Sequence, residues 1–271
     1  NSQTTQINGI GVLFYSITML DSKYMLELKN IYKSFGEREI LSGVNLKLEK
    51  GNVYTLMGAN GTGKTTLFNI ITNFLKADEG AVFFKGKRID NLSPVTINSL
   101  GITRTFQNLR LIEGLTVSEN ILLAFKGNKG EKIWNALLPE VFLKKQKTYF
   151  NKRAKEIIRK VFLDDVAESK AGEISYGQQK LLTLGCCLAN EADLLLLDEP
   201  VAGINPDYLG KIITLIKDIK EEGKTVLLIE HNADFIEAVS DKLFFLTDGT
   251  ISTFDDYNQL RNSPKAQEAY L

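Results

Sequence analysis

Gly58-Ala59-Asn60-Gly61-Thr62-Gly63-Lys64-Thr65-Thr66 follows an apolar run, Val53-Tyr54-Thr55-Leu56-Met57, and precedes Leu67-Phe68-Asn69-Ile70-Ile71. The run reads as a buried strand, and the segment after the loop as the opening of a helix. Strand, glycine-rich turn, Lys-Thr and helix form the phosphate-binding loop pattern G-x-x-x-x-G-K-[ST] in the context it requires. Phosphate oxygens need several backbone N–H donors converging on one point, and the glycines allow that close approach. The helix start near Gly63 adds unpaired N–H groups and the positive end of a helix dipole. Lys64 is placed to reach the β- and γ-phosphates of a nucleotide, and the Thr65 hydroxyl to sit on Mg²⁺.

The surrounding chain has 271 residues, 44% hydrophobic and 24% charged, enough for one large domain or two modest ones. Lys+Arg and Asp+Glu both count 33, so no global field favours nucleic acid or an anionic membrane. The longest apolar candidate, Ile10 to Leu20, contains Tyr15, Ser16 and Thr18 and is too short to span a bilayer. It also lacks the basic segment and the small-residue cleavage site of a signal peptide. Adjacent Cys186 and Cys187 have no third cysteine to pair with and read as buried helix residues of a reducing compartment. Met25-Leu-Glu-Leu-Lys-Asn looks like a fresh start, which makes residues 1–24 a natural extension, an upstream-start artefact or an added segment.

From Met25 to about Phe84, strand-like runs (Leu26–Tyr32, Val44–Leu48, Val53–Met57, Ala81–Phe84) alternate with turns. Phe35, just before Gly36, is an aromatic positioned to stack on an adenine ring. Gly101 to Gln107 reads as a strand in line to end beside the phosphate loop. Helices come next: Val117–Phe125, with Ser118 or Thr116 near its start, and Phe142–Phe162, with apolar Ala154, Ile157, Ile158, Val161 and Phe162. The basic residues Lys144, Lys145, Lys147, Lys152, Arg153 and Lys155 read as a solvated face. Asn128-Lys-Gly-Glu-Lys is a loop that Trp134 would anchor. Ser175 is a plausible N-cap for the apolar helix Leu181–Leu188.

Leu194-Leu195-Leu196-Leu197-Asp198-Glu199-Pro200 is a strand buried on both faces that ends in two carboxylates. Asp198 is placed to hold Mg²⁺ through water and Glu199 to polarise an attacking water as general base. Asn205-Pro206 leads into a helix over Asp207–Glu222, and Thr225–Ile229 is a further buried strand. It ends at His231, the sole histidine, where open α/β sheets bind ligands. His231 is therefore read as a γ-phosphate sensor. A hairpin around Asp248-Gly249 joins Lys242–Thr247 to Thr250–Phe254, and Asp256 onward is a helical tail.

Taken together, these elements resemble the ATP-binding subunit of an ABC transporter over Met25–Leu271. Phe35 matches the aromatic loop, Gly58–Thr66 Walker A, Gln107 the Q-loop and Ser175-Tyr176-Gly177-Gln178 the signature. Leu194–Glu199 matches Walker B, Ala202–Asn205 the D-loop and His231 the switch. Tyr176 replaces a signature glycine and Asn205 the D-loop aspartate. Both look like traits of the branched-chain amino-acid importer subgroup, which the chain also resembles in Arg104-Thr-Phe-Gln-Asn-Leu-Arg-Leu and in the tail Ser263-Pro-Lys-Ala-Gln-Glu-Ala-Tyr-Leu.

The resemblance implies an α/β P-loop NTPase of the ABC ATPase type. Its mainly parallel core sheet is flanked by helices and joined by an antiparallel β subdomain and a helical subdomain inserted at about 108–190. It implies ATP and Mg²⁺. Glu199, His231, Gln107 and Lys64 would be catalytic, and Phe35, Gly58, Asn60, Gly61, Gly63, Lys64, Thr65, Thr66, Ser175, Gly177 and Gln178 would hold ATP. Thr65, Gln107 and Asp198 would hold the metal. One copy's Walker A and a second copy's signature would sandwich ATP, the second ATPase being identical or paralogous. The partners would be membrane permease subunits and, indirectly, an extracytoplasmic solute-binding protein, with no nucleic acid. The chain would sit peripherally on the cytoplasmic face of the cell membrane. An exporter subunit of the lipopolysaccharide type is the alternative. A non-transport ABC ATPase is disfavoured because there is neither a long coiled coil nor a second ATPase unit.

Overall fold

The computed structural model describes residues 22–105, 111–126 and 140–270, so Gln107, Trp134 and nearly all of the expected extension lie outside the described residues. The described residues open with β1 (Tyr24–Phe35), which takes in Tyr24 ahead of Met25, and β2 (Arg38–Glu49). Then come β3 (Val53–Met57), α1 (Lys64–Ile71), β4 (Glu79–Phe84), β5 (Lys87–Arg88), α2 (Pro94–Leu100) and β6 (Ile102–Arg104). The helical stretch holds α3 (Val117–Ala124), α4 (Glu140–Lys160) and α5 (Tyr176–Ala189). The chain then returns through β7 (Leu194–Asp198), α6 (Pro206–Glu221), β8 (Thr225–Ile229), α7 (Ala233–Val239), β9 (Lys242–Thr247), β10 (Thr250–Phe254), α8 (Tyr257–Arg261) and α9 (Pro264–Tyr270).

Two sheets form among these elements. The larger runs β10-β9-β3-β8-β7-β6, parallel except for the β10 hairpin edge. The smaller, β2-β1-β4-β5, is antiparallel. Every residue of β3, β7 and β8 is buried, as a parallel sheet covered on both faces demands. The two-residue period of a strand divides each run between two cores. Leu195, Leu197, Val226 and Leu228 face the helices, packing with Ile121, Ile157, Leu181 and Ile216. Leu194, Leu196, Leu227 and Ile229 face α1 and the antiparallel sheet, packing with Phe68, Leu26, Leu28 and Leu46.

The local signals locate the helix starts. Thr116, not Ser118, caps α3, in a reciprocal capping box with Glu119. Ser175 caps α5 in the same way with Gln178. Asn205 caps α6 by accepting from the Tyr208 N–H. Phe162 departs from the helical expectation. It sits past the end of α4 at φ 58° and is 41% exposed, because the chain turns there before Leu163 re-enters the core. Lys147, Lys152 and Lys155 are exposed, as a solvated face requires. Arg153 is half-buried and pairs with Glu156 and Glu191, each at 3.3 Å. Cys187 is buried, which pushes its thiol pKa up to about 12; Cys186 is half-buried, and both are free. No described helix is long and apolar enough to cross a membrane.

Candidate functional site

The carboxyl ends of β3, β7 and β8 lie side by side, and the loops leaving those ends build the candidate site. After β3 the chain makes the loop Gly58–Gly63. Gly58 takes φ 148°, and a Cβ there would lie 2.3 Å from the Leu246 carbonyl oxygen. Gly63 takes φ 105°, and its Cβ would lie 2.6 Å from Ile40 Cγ2. Only glycine meets both demands, so the loop can press against β2 and β9. Lys64, the first residue of α1, is buried, and its Nζ donates to the carbonyls of Gly58 (2.7 Å) and Ala59 (2.9 Å). Burial lowers its pKa, with the Glu199 and Asp198 charges opposing the shift.

After β7 come the two carboxylates. Asp198 is 6% exposed. Its N–H donates to Thr105 Oγ1 at 2.9 Å, and its Oδ2 accepts from Arg104 Nη2 at 3.3 Å. Burial raises its pKa, with Arg104 opposing. The Arg104 guanidinium is itself buried, donates to Asn69 Oδ1 at 2.6 Å and stacks 5.4 Å from the Phe68 ring centroid. Glu199 turns the chain at φ 50°, a sparsely populated region for a residue with a side chain.

After β8 come Glu230, buried, and His231, exposed. The protein packed around the imidazole and the nearby Lys64 charge lower the His231 pKa from its ordinary value, with Glu199 and Glu230 opposing.

A cleft of about 270 Å³ brings the phosphate-binding loop together with Asp198 and Glu199. Phe35, Ile40, Asn60, Gly61, Gly63, Lys64, Thr65, Thr66, Asp198, Glu199 and Ile229 line it. His231 lines a separate cavity with Met57, Tyr257 and Arg261. Ser175, Gly177 and Gln178 line neither. They open α5, where the Ser175 hydroxyl lies 3.2 Å from the Tyr208 hydroxyl and Gly177 is pressed against the Tyr208 ring. Gln107 lies outside the described residues. Three supporting residues carry no distinct signal in the sequence: Arg104 stands out only within a family pattern, Glu230 only as the neighbour of His231, and Lys180 only as a residue two positions past the signature. Each acts through a tertiary contact that no local spacing encodes.

The fold and the cleft define a P-loop ATPase. The model of the ABC transporter family matches residues 41–202. A probable branched-chain amino acid transport ATP-binding protein of Methanocaldococcus jannaschii is 36% identical over 257 residues, covering 93% of this chain and 99% of the relative. The solved ADP conformation of MJ1267, an ATP-binding cassette of an ABC transporter, superposes with a TM-score of 0.78 at 34% identity, over 92% of this chain and 99% of that one. A dimeric post-hydrolysis structure of the cassette MJ0796, bound to ADP and Pi, gives a TM-score of 0.70 at 27% identity, over 85% and 98%. The chain belongs to the ABC transporter family, as one of its ATP-binding and ATP-hydrolysing subunits.

Proposed function

We propose that the chain powers an importer of branched-chain amino acids by hydrolysing ATP in a site shared between two cassettes. The observation that carries the reading is the cleft in which the phosphate-binding loop, Asp198, Glu199 and the exposed ring of Phe35 meet. The transport role named for a relative of nearly the same length supports the solute class. Phe35 offers a flat π face to the adenine. The N–H groups of Asn60, Gly61, Gly63, Thr65 and Thr66 cradle the phosphates, and Lys64 exchanges its loop carbonyls for phosphate oxygens. Glu199 takes the proton of the attacking water, and His231 senses the γ-phosphate.

Thr65 and Asp198 are hard oxygen donors on one cleft, which suits Mg²⁺. Among the described residues no group of three or more His, Cys, Asp or Glu could hold a metal, which fits an ion shared with nucleotide phosphates rather than caged by protein. Mg²⁺ would supply charge neutralisation at the phosphates. Ser175, Gly177 and Gln178 line no part of this chain's own cleft, which supports their engaging ATP held by a second cassette, identical or paralogous. Gln107 would relay nucleotide occupancy to permease subunits, placing the chain peripherally on the cytoplasmic face of the membrane.

Co-purification from detergent-solubilised membranes tests the assembly. We expect two amino-acid-type permease subunits and a second ATPase to be recovered. Recovery of an export permease would overturn the importer assignment, and recovery of soluble proteins alone would overturn the transport role.

A further inference from the structure

The turn after Asp198 is held from two sides by buried charged side chains that line no part of the cleft. The Glu199 N–H donates to the Ile229 carbonyl at 3.0 Å, carrying the β7–β8 pairing one residue past the strand. The Glu199 carbonyl accepts from Lys180 Nζ at 2.8 Å, and from the Ala202 N–H at 3.3 Å. The Val201 N–H donates to Glu230 Oε1 at 2.9 Å. The other oxygen of that carboxylate accepts from the N–H groups of His231 (2.9 Å) and Asn232 (3.3 Å). Lys180 is 5% exposed and Glu230 3%.

We propose that Lys180 and Glu230 are positioning residues for ATP hydrolysis, a clamp that holds the Glu199 turn in its left-handed conformation and sets His231 in the same frame. The proposal rests on reading Glu199 as the general base. A left-handed backbone at a glutamate persists only where its surroundings over-determine it. Here the carbonyl on one side of Pro200 and the N–H on the other are tied to separate elements, α5 and the end of β8. The direction of the Glu199 carboxylate derives from that backbone. Glu230 joins the two loops on which the water and the γ-phosphate would be handled, since one carboxylate bonds both. Lys180 lies two residues beyond Gln178 on α5. The helix whose start would meet the partner cassette's nucleotide therefore also grips the catalytic turn of this chain's own site.

The test uses the full-length chain in five forms: wild type, Lys180→Gln, Glu230→Gln, their double variant and Lys180→Arg, with Glu199→Gln as control. Turnover is measured by phosphate release, nucleotide affinity by calorimetry with a non-hydrolysable ATP analogue, and folding by thermal unfolding. Because misplacing a catalytic group by about 1 Å costs up to about a hundredfold, each glutamine variant is expected to lose about ten- to a hundredfold in kcat. Affinity should stay within about twofold, since neither side chain lines the cleft. The double variant should lose little more than the worse single, because both act through one turn. Lys180→Arg, which keeps a cation at that position, should recover most of the rate. Unchanged kcat, affinity falling in step with kcat, or multiplying losses in the double variant would overturn the clamp. If a glutamine variant fails to fold, Glu230→Asp, with its carboxylate withdrawn by one methylene, carries the same comparison. Wild-type turnover in Glu199→Gln would instead overturn the reading of Glu199 itself. An inactive Glu199→Gln beside unimpaired clamp variants would overturn only the clamp.

Discussion

The two sheets of this molecule bury similar side chains and do different work. In the parallel sheet, β3, β7 and β8 are buried throughout, and their strand directions agree, so three carboxyl ends open on one edge. Loop glycines, Asp198, Glu199, Glu230 and His231 all lie at those ends. In the antiparallel sheet, buried Leu26 and Leu28 alternate with outward residues, and neighbouring strand ends point opposite ways. It gives the cleft only Phe35 and Ile40, both apolar. Parallel pairing concentrates polar chemistry at one edge of the sheet, whereas antiparallel pairing supplies a wall.

The strongest challenge to this contrast is at the parallel edge. Lys64→Ala should abolish ATP binding. Glu199→Gln should keep binding yet lower turnover by at least about a hundredfold, the scale of a lost general base. Unchanged ATP affinity by calorimetry in the first, or rapid phosphate release in the second, would remove that residue from its role.

Next comes packing. Leu196→Ala, in the middle of β7 with no exposure, should cost about 2–5 kcal/mol of unfolding free energy. Lys47→Ala, on the open face of the antiparallel sheet, removes an exposed ammonium that pairs with Glu27 at 3.2 Å and lies 4.9 Å from the Tyr24 ring centroid. It should stay within about 1 kcal/mol. Equal shifts in denaturant midpoint would erase the distinction between a sheet covered on both faces and one covered on one.

Phe35→Ala tests whether the antiparallel sheet serves the nucleotide at all. The ring is 52% exposed, so the fold should hardly notice its loss, while ATP affinity should fall by about 1–3 kcal/mol of stacking. Affinity unchanged in calorimetry would reduce Phe35 to an ordinary edge aromatic.

The smallest effect concerns the sole histidine. Its NMR titration midpoint should lie below the ordinary 6.5, because the surrounding protein and the Lys64 charge both disfavour imidazolium. Removing that charge in Lys64→Met should move the midpoint upward. The lowered value also means that any stability His231 contributes is present above 6.5 and is lost as pH falls from there through the folded value. A midpoint that does not rise in Lys64→Met would separate His231 electrostatically from the loop.

This same contrast explains how much of the molecule is legible in its residues taken in order. The parallel strands are legible because burial on both faces leaves unbroken apolar runs, as in Leu194–Leu197. Their ends are legible because phosphate and carboxylate chemistry needs fixed residue types at fixed spacing. The capping pairs Thr116–Glu119 and Ser175–Gln178 are equally local. The hidden contacts depend on distant parts of the chain meeting. Lys180 is 19 residues from Glu199, and Arg104 is 94 residues from Asp198, so neither contact leaves a periodicity. Phe162 misleads because its spacing continues the helix while its backbone has already left it.

The capping box at the start of α5 has one more consequence. Ser175 and Gln178 satisfy each other's backbone N–H groups, and the Ser175 hydroxyl sits beside that of Tyr208. These capping groups, on the surface proposed to meet a second cassette, are thus already satisfied at home. Two such faces would gain little from these groups by meeting alone, since each hydrogen bond they made across the gap would replace one already made. In the proposed pair, the phosphates of ATP would offer the α5 start a partner that it does not find at home. Association would then be conditional on fuel, and the two cassettes would part once the γ-phosphate is gone.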